Sequence, residues 1–280
     1  MTQTATLEGR QTVRLTDEEV RTYHEEGLVV PDYRLPDDVL AQLRGQVDRL
    51  IADHPDIRPE SLSGPHNPWG QSARLMGSVD FLEFCRFPDI LDMVEQLIGP
   101  DIILWGSMLF AKPAGDGKAV PWHQDGKYWP IEPLATITVR VSIDGSDRDN
   151  GCMQYIPGSH RAKRLERHEV DRREDMALGQ AMPDIDTSTA RDCILAPGQI
   201  SLHDVYTVHG SAHNRSVKRR ADYAIRYMPA TALYDRRPDH PATVYANQHS
   251  PEMNYPARPI WLVRGQDRAG NDFAAGKPAS

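Results

Sequence analysis

Past residue 101 the sequence stops repeating apolar residues at three- and four-residue steps and becomes a series of short apolar or alternating runs cut by Gly, Pro, Asn and Asp. Runs so bounded are strands rather than helices. The candidates are residues 102–110, 136–143, 153–156, 200–203, 205–209 and 223–228. Asn150-Gly151 is a strong turn signal between two of them, and Pro157-Gly158-Ser159 marks another. The earlier part reads as helical. Thr16-Asp-Glu-Glu19 is a capping box opening a helix that ends near Gly27, with a short strand at 28–31 after it. Pro36 with Asp37 and Asp38 opens a second helix, whose Val39, Leu40, Leu43, Val47, Leu50 and Ile51 fall on one face. Residues 61–70 read as loop, and 88–98 as an amphipathic helix stopped by Gly99-Pro100. Helices first and strands afterwards predict an α+β layout in which helices brace a β-sandwich or jelly roll.

No repeat or low-complexity segment divides the chain, so residues 15–280 are expected to form a single domain after a frayed, polar tail over 1–14. The charged, weakly periodic stretch 160–190 reads as a lid or a surface excursion. Formal net charge is −8, and acidic residues interrupt the basic run at 161–173, which argues against nucleic acid as a partner. No apolar run approaches the roughly 20 residues that span a bilayer, and no signal pattern opens the chain, so the expectation is a soluble, cytoplasmic protein without a membrane partner. Cys85, Cys152 and Cys193 have no Cys-x-x-Cys spacing and are expected to be reduced core thiols.

Chemistry concentrates in Pro121-Trp-His-Gln-Asp-Gly126. On an extended strand residues i and i+2 share a face, so His123 and Asp125 would present an imidazole and a carboxylate together. By itself His-x-Asp is a weak signal in a chain with 11 histidines. Val208-His209-Gly210-Ser211, at the end of a downstream apolar run, offers a third ligand; His203 and His213 compete with His209 for that place. Two histidines and one carboxylate with open positions favour iron(II), and leave a net positive ion to which an anionic chelating cosubstrate and dioxygen can bind. Arg220, eleven residues past His209 at the start of the next apolar run, could return beside the metal to hold a carboxylate, or be part of a solvated basic turn with Arg215, Lys218 and Arg219. Lys127, Tyr128 and Trp129 follow the metal motif directly and are expected along one wall of a small-molecule substrate pocket. Trp105 and Trp122 read as core, and His160 as a cap on local backbone.

Together Met108-Leu-Phe-Ala-Lys-Pro113, His123-Gln-Asp125, Asn150-Gly-Cys-Met-Gln-Tyr-Ile-Pro-Gly-Ser-His160 and His209-Gly-Ser-Ala-His-Asn-Arg-Ser216 resemble the phytanoyl-CoA dioxygenase family over about residues 15–229. That resemblance implies a double-stranded β-helix and an oxygenase that uses Fe(II), 2-oxoglutarate and O2, decarboxylating 2-oxoglutarate to succinate as an organic substrate is oxidised. It makes His123, Asp125 and His209 the metal ligands and sets Arg220 on the far carboxylate of 2-oxoglutarate, with Met108 and Ser211 lining the cosubstrate pocket. The chain departs from the pattern at Arg140, where relatives often carry an aromatic residue; Arg140 is left to bind a substrate anion or 2-oxoglutarate, or to point outward. Halogenating relatives replace the carboxylate with a small residue, so Asp125 favours hydroxylation, although desaturation, ring formation and epimerisation use the same ligands. The rival readings are another metal-dependent enzyme on a cupin-like barrel, a hydrolase or isomerase, and a barrel that only binds a ligand.

Overall fold

Thr16 caps the first helix as its sequence predicts: its hydroxyl accepts the Glu19 N–H at 3.2 Å, and the Glu19 carboxylate takes the Thr16 N–H at 2.7 Å. The computed structural model describes residues 12–70, 75–249 and 253–278. Its helices are α1 (Asp17–Glu26), α2 (Asp37–Asp53), α3 (Val79–Phe84), α4 (Pro88–Ile98) and α5 (Pro241–His249). The strands of the first half are β1 (Leu28–Val29), β2 (Leu62–Ser63), β3 (Ile102–Lys112), β4 (Val120–His123), β5 (Ile131–Glu132), β6 (Ile137–Ser142) and β7 (Met153–Tyr155). Those of the second half are β8 (Glu169–Val170), β9 (Gln180–Ala181), β10 (Arg191–Cys193), β11 (Ile200–Asp204), β12 (His209–Ser211), β13 (Arg220–Pro229), β14 (Leu233–Tyr234) and β15 (Trp261–Arg264). The expected tail over 1–14 lies mostly outside the described residues; within it, Val13 packs against the core.

Two antiparallel sheets make the jelly roll. The larger runs β1-β11-β6-β13-β3-β15, with β2 added to β3, and the smaller runs β10-β7-β12-β4. Alternation along β13 sorts its side chains by face. Ala221, Tyr223, Ile225 and Tyr227 join the main core with Leu43 and Val47 of α2, Phe81 and Phe84 of α3 and Ile90 of α4, while Arg220, Ala224 and Arg226 line a cavity on the other face. The core therefore fills the layer between helices and large sheet, and the polar residues of that sheet turn toward the smaller one. Cys85, Cys152 and Cys193 are buried and unbridged. Among the described residues no helix is long and apolar enough to cross a membrane.

Three expectations need correction. Part of the stretch read as loop, Leu62–Ser63, is β2, a pairing imposed by β3 on residues too few to show alternation. The run 205–209 is not one strand. Asp204 accepts the Tyr206 N–H on its side chain and the Thr207 N–H on its carbonyl, and this turn carries the chain from the large sheet to the small one before β12 begins at His209. His203 and His209 thus belong to different sheets. Finally, β4 ends at His123, and Asp125 opens a 3-10 turn, Asp125–Tyr128.

Candidate metal centre

The β4 and β12 register sets His123 opposite His209, with ring centroids 4.3 Å apart. Each ring donates Nδ1–H to a carbonyl two residues upstream, His123 to Pro121 at 2.8 Å and His209 to Thr207 at 2.9 Å. That fixes both tautomers and turns both Nε2 lone pairs inward. The 3-10 turn brings Asp125 Oδ1 to 3.5 Å from His123 Nε2, and the donor atoms of His123, Asp125 and His209 all lie within 4.8 Å of one another. The three residues are 3%, 7% and 7% exposed. Burial, with His123 alongside, holds His209 far below the usual histidine range, so its Nε2 is a neutral donor. Burial alone would raise Asp125, but the His123 and His203 rings beside it and the charge of Arg226 keep it well below the carboxylate range. Two imidazole nitrogens and one carboxylate converging from a single side is the donor set of a divalent metal with open positions.

His203 supports this set without joining it. From the opposite sheet its Nε2 stands 3.4 Å from Asp125 Oδ2, the oxygen that also accepts the Thr138 hydroxyl at 3.2 Å. His213 lies away from the cluster, 3.3 Å from Asp175. Gln124, buried between the ligands, ties the metal strand to the expected covering stretch: its Oε1 accepts Glu166 N–H, its Nε2 donates to the Arg164 and Tyr206 carbonyls, and its own N–H donates to His168 Nε2. Leu178 and Gln180 of that stretch line the cavity. His160 caps distant rather than local backbone, donating Nε2–H to the His24 carbonyl near the end of α1.

One end of the cavity is cationic. Arg220 donates to the Gly151 carbonyl, and its Nε lies 3.0 Å from Asp222 Oδ2 without the alignment of a hydrogen bond. Arg140 points inward, pairs with the same carboxylate oxygen, and leaves Nη1 buried with no partner. Met108 and Ser211 line the wall here. Behind Ser211 the Lys112 amine is fully buried and donates to Ser211 Oγ at 2.7 Å. Burial, with Arg220 nearby, depresses Lys112 from 10.5 to about 6. Between those pH values the unfolded chain holds the extra proton, so stability rises with pH, by up to about 1.4 kcal/mol per unit. In Lys112→Met this increment is expected to vanish. Unfolding free energies measured from pH 6.5 to 8.5 should rise less steeply in the variant than in wild type; parallel slopes would mean that the amine is charged in the folded protein.

At the other end Trp129 lines the cavity, as its place after the metal motif suggests, while Lys127 and Tyr128 are not among its lining residues. Tyr128, in the 3-10 turn, stacks on Tyr245 at 3.5 Å and borders a second hollow that shares Asp125, Trp129, Leu178, Gln180 and Met253 with the first. Sequence reasoning missed Arg226, which lines the cavity with its guanidinium 5.0 Å over the Trp129 ring. The signal was available: counting in twos along the strand from Arg220 arrives at Arg226.

The sequence profile of the phytanoyl-CoA dioxygenase (PhyH) family matches residues 23–221. The peroxisomal phytanoyl-CoA dioxygenase of Bos taurus is 27% identical over 240 residues, covering 79% of this chain and 70% of that protein. Ectoine dioxygenase of Bordetella bronchiseptica is 24% identical over 269 residues, covering 84% of this chain and 85% of the other. Among solved structures, the non-heme monooxygenase ThoJ in its apo form superposes with a TM-score of 0.67 at 23% identity, covering 93% of this chain and 87% of that one. CytC3, solved with Fe(II) and alpha-ketoglutarate, superposes with a TM-score of 0.60 at 22% identity, covering 93% of each chain. The solved structures share the jelly roll, and the profile takes in β4, β12 and the start of β13, where the buried cluster and Arg220 stand. This chain belongs to the phytanoyl-CoA dioxygenase family.

Proposed function

We propose that the protein is an Fe(II)- and 2-oxoglutarate-dependent dioxygenase that hydroxylates a small organic molecule. The observation that carries this reading is the buried convergence of His123, Asp125 and His209 in the cavity that also holds Arg220. When bound, Fe(II) with 2-oxoglutarate and O2 supplies the oxidising power, 2-oxoglutarate leaving as succinate and carbon dioxide.

The side chains here fit such a centre. His123 and His209 with Asp125 offer two nitrogens and one oxygen, while Thr138 and His203 hold the second Asp125 oxygen and leave the first free to serve as a ligand. Arg220 takes the far carboxylate of 2-oxoglutarate, with the Ser211 hydroxyl and Met108 beside it. Arg140 shares Asp222 with Arg220 and helps to fix the Arg220 fork. Trp129, Leu178 and Gln180 border the space for substrate and shield it from bulk water. Asp125 occupies the position a halide would need, which favours hydroxylation over halogenation.

The test is anaerobic addition of Fe(II) to metal-free protein with and without 2-oxoglutarate. A weak visible charge-transfer band that requires both, and succinate on admission of O2, are the expected results. No band and no 2-oxoglutarate binding would overturn the reading and leave the hydrolase, isomerase and ligand-binding barrel.

A further inference from the structure

Arg226 is the one guanidinium lining this cavity that, among the described residues, has no hydrogen bond. Its side chain is 12% exposed, and its Nε is buried without a partner. The nearest carboxylate oxygen is Asp125 Oδ1 at 4.0 Å, and that charge faces the metal. Arg258 does not relieve it. The two arginines flank Gly106, where a Cβ would stand 3.5 Å from Arg258 Nη1 and 3.8 Å from Arg226 Cδ. Arg258 is itself buried against the Trp105 and Tyr255 rings, and among the described residues it makes no ion pair. Two cations thus lie together in a low-dielectric pocket beside a metal centre with only one carboxylate. Such an arrangement is costly until an anion enters it.

Two anions have to be assigned. Arg226 stands six residues beyond Arg220 on the same face of β13, roughly 20 Å along the strand. Arg220, backed by Arg140 and Ser211, serves the far carboxylate of 2-oxoglutarate, and the near carboxylate has the metal for a partner. Arg226 faces the opposite end, against Trp129. We infer that the primary substrate is a small organic anion, and that Arg226 receives its carboxylate or other oxyanion next to the metal, so that the carbon oxidised lies within a few bonds of that group. This rests on the oxygenase reading above.

The experiment uses the anaerobic Fe(II) and 2-oxoglutarate complex, titrated with matched pairs: acetate and acetamide, benzoate and benzamide, octanoate and octanamide. Binding is followed by tryptophan fluorescence, since Trp129 lies under the guanidinium, and by perturbation of the visible band. In wild type the carboxylate of at least one pair should bind tenfold or more tightly than its amide. Arg226→Met should erase that preference while shifting 2-oxoglutarate affinity less than threefold, and Arg226→Lys should keep part of it. The inference fails if no pair favours the carboxylate. It fails also if Arg226→Met weakens 2-oxoglutarate tenfold, which would assign Arg226 to the cosubstrate. If wild type binds neither Fe(II) nor 2-oxoglutarate, the oxygenase reading falls first and takes this inference with it.

Discussion

Asp125→Ala is expected to abolish the Fe(II)–2-oxoglutarate chelate band and to cut succinate formation at least about a thousandfold. Residues that merely orient metal ligands change affinity or activity by roughly 10- to 100-fold when altered. Asp125 is the only anionic member of its cluster, so its loss removes both a donor and the charge that offsets the ion. The fold should survive, because the side chain lies in the cavity between the sheets and not in the core beneath the helices. Its removal does leave His203 and Thr138 without their shared acceptor and Arg226 without its nearest carboxylate, a cost of about 1–3 kcal/mol for unmet buried groups. Dialysis against Fe(II) followed by iron analysis, with a melting curve on the same sample, separates the two effects. A folded variant that still holds stoichiometric iron would remove Asp125 from the metal centre.

Asp125 also shows how a residue can be placed beside His123 from the sequence for a reason that does not hold. Two residues apart on a strand would share a face, but β4 stops at His123, and it is the 3-10 turn that swings the carboxylate back. The same turn leaves Lys127 out of the cavity lining, where a continued strand would have kept alternate residues facing in. Periodicity reports an element while it lasts; a single 3-10 turn of four residues after a strand leaves no periodic trace. The sheet-crossing turn at Asp204 is a second instance, because His203 and His209 read as neighbours on one strand yet approach Asp125 from opposite sheets. Helices α1 and α4 were legible to within a residue, since they carry their own start and stop chemistry in Thr16, Gly27, Pro88 and Gly99. In contrast α5 has almost no amphipathic pattern, and α3 and β15 are short pieces whose existence depends on what they pack against. Arg140 and Arg226 were hidden for another reason. On a strand buried on both faces, a polar residue inside the barrel cannot be told from an outward one until the opposing sheet is known.

Arg220→Met is expected to raise the 2-oxoglutarate concentration for half-saturation by roughly 10- to 100-fold, with turnover at saturation changed little. A charge-assisted hydrogen bond is worth about 1.5–3 kcal/mol, and the loss appears mainly in binding because the far carboxylate is remote from the reacting bond. Arg220→Lys should fall between, keeping the charge but losing the planar fork. The magnitude is bounded from below by what remains. Asp222, held below the carboxylate range by Arg140 and Arg220 despite its burial, keeps Arg140 as partner in the variant. The pocket therefore keeps a guanidinium, but one whose charge Asp222 already offsets, so it makes a poor substitute for Arg220. Arg140→Met supplies the control. If Arg140 acts through Asp222 to set the Arg220 fork, its loss should weaken 2-oxoglutarate by a few-fold, less than the loss of Arg220. Wild-type 2-oxoglutarate affinity in Arg220→Met together with its collapse in Arg140→Met would reverse the assignment: Arg140 would be the anion seat, and Arg220, with one N–H already given to the Gly151 carbonyl, a structural tie between β13 and the turn before β7.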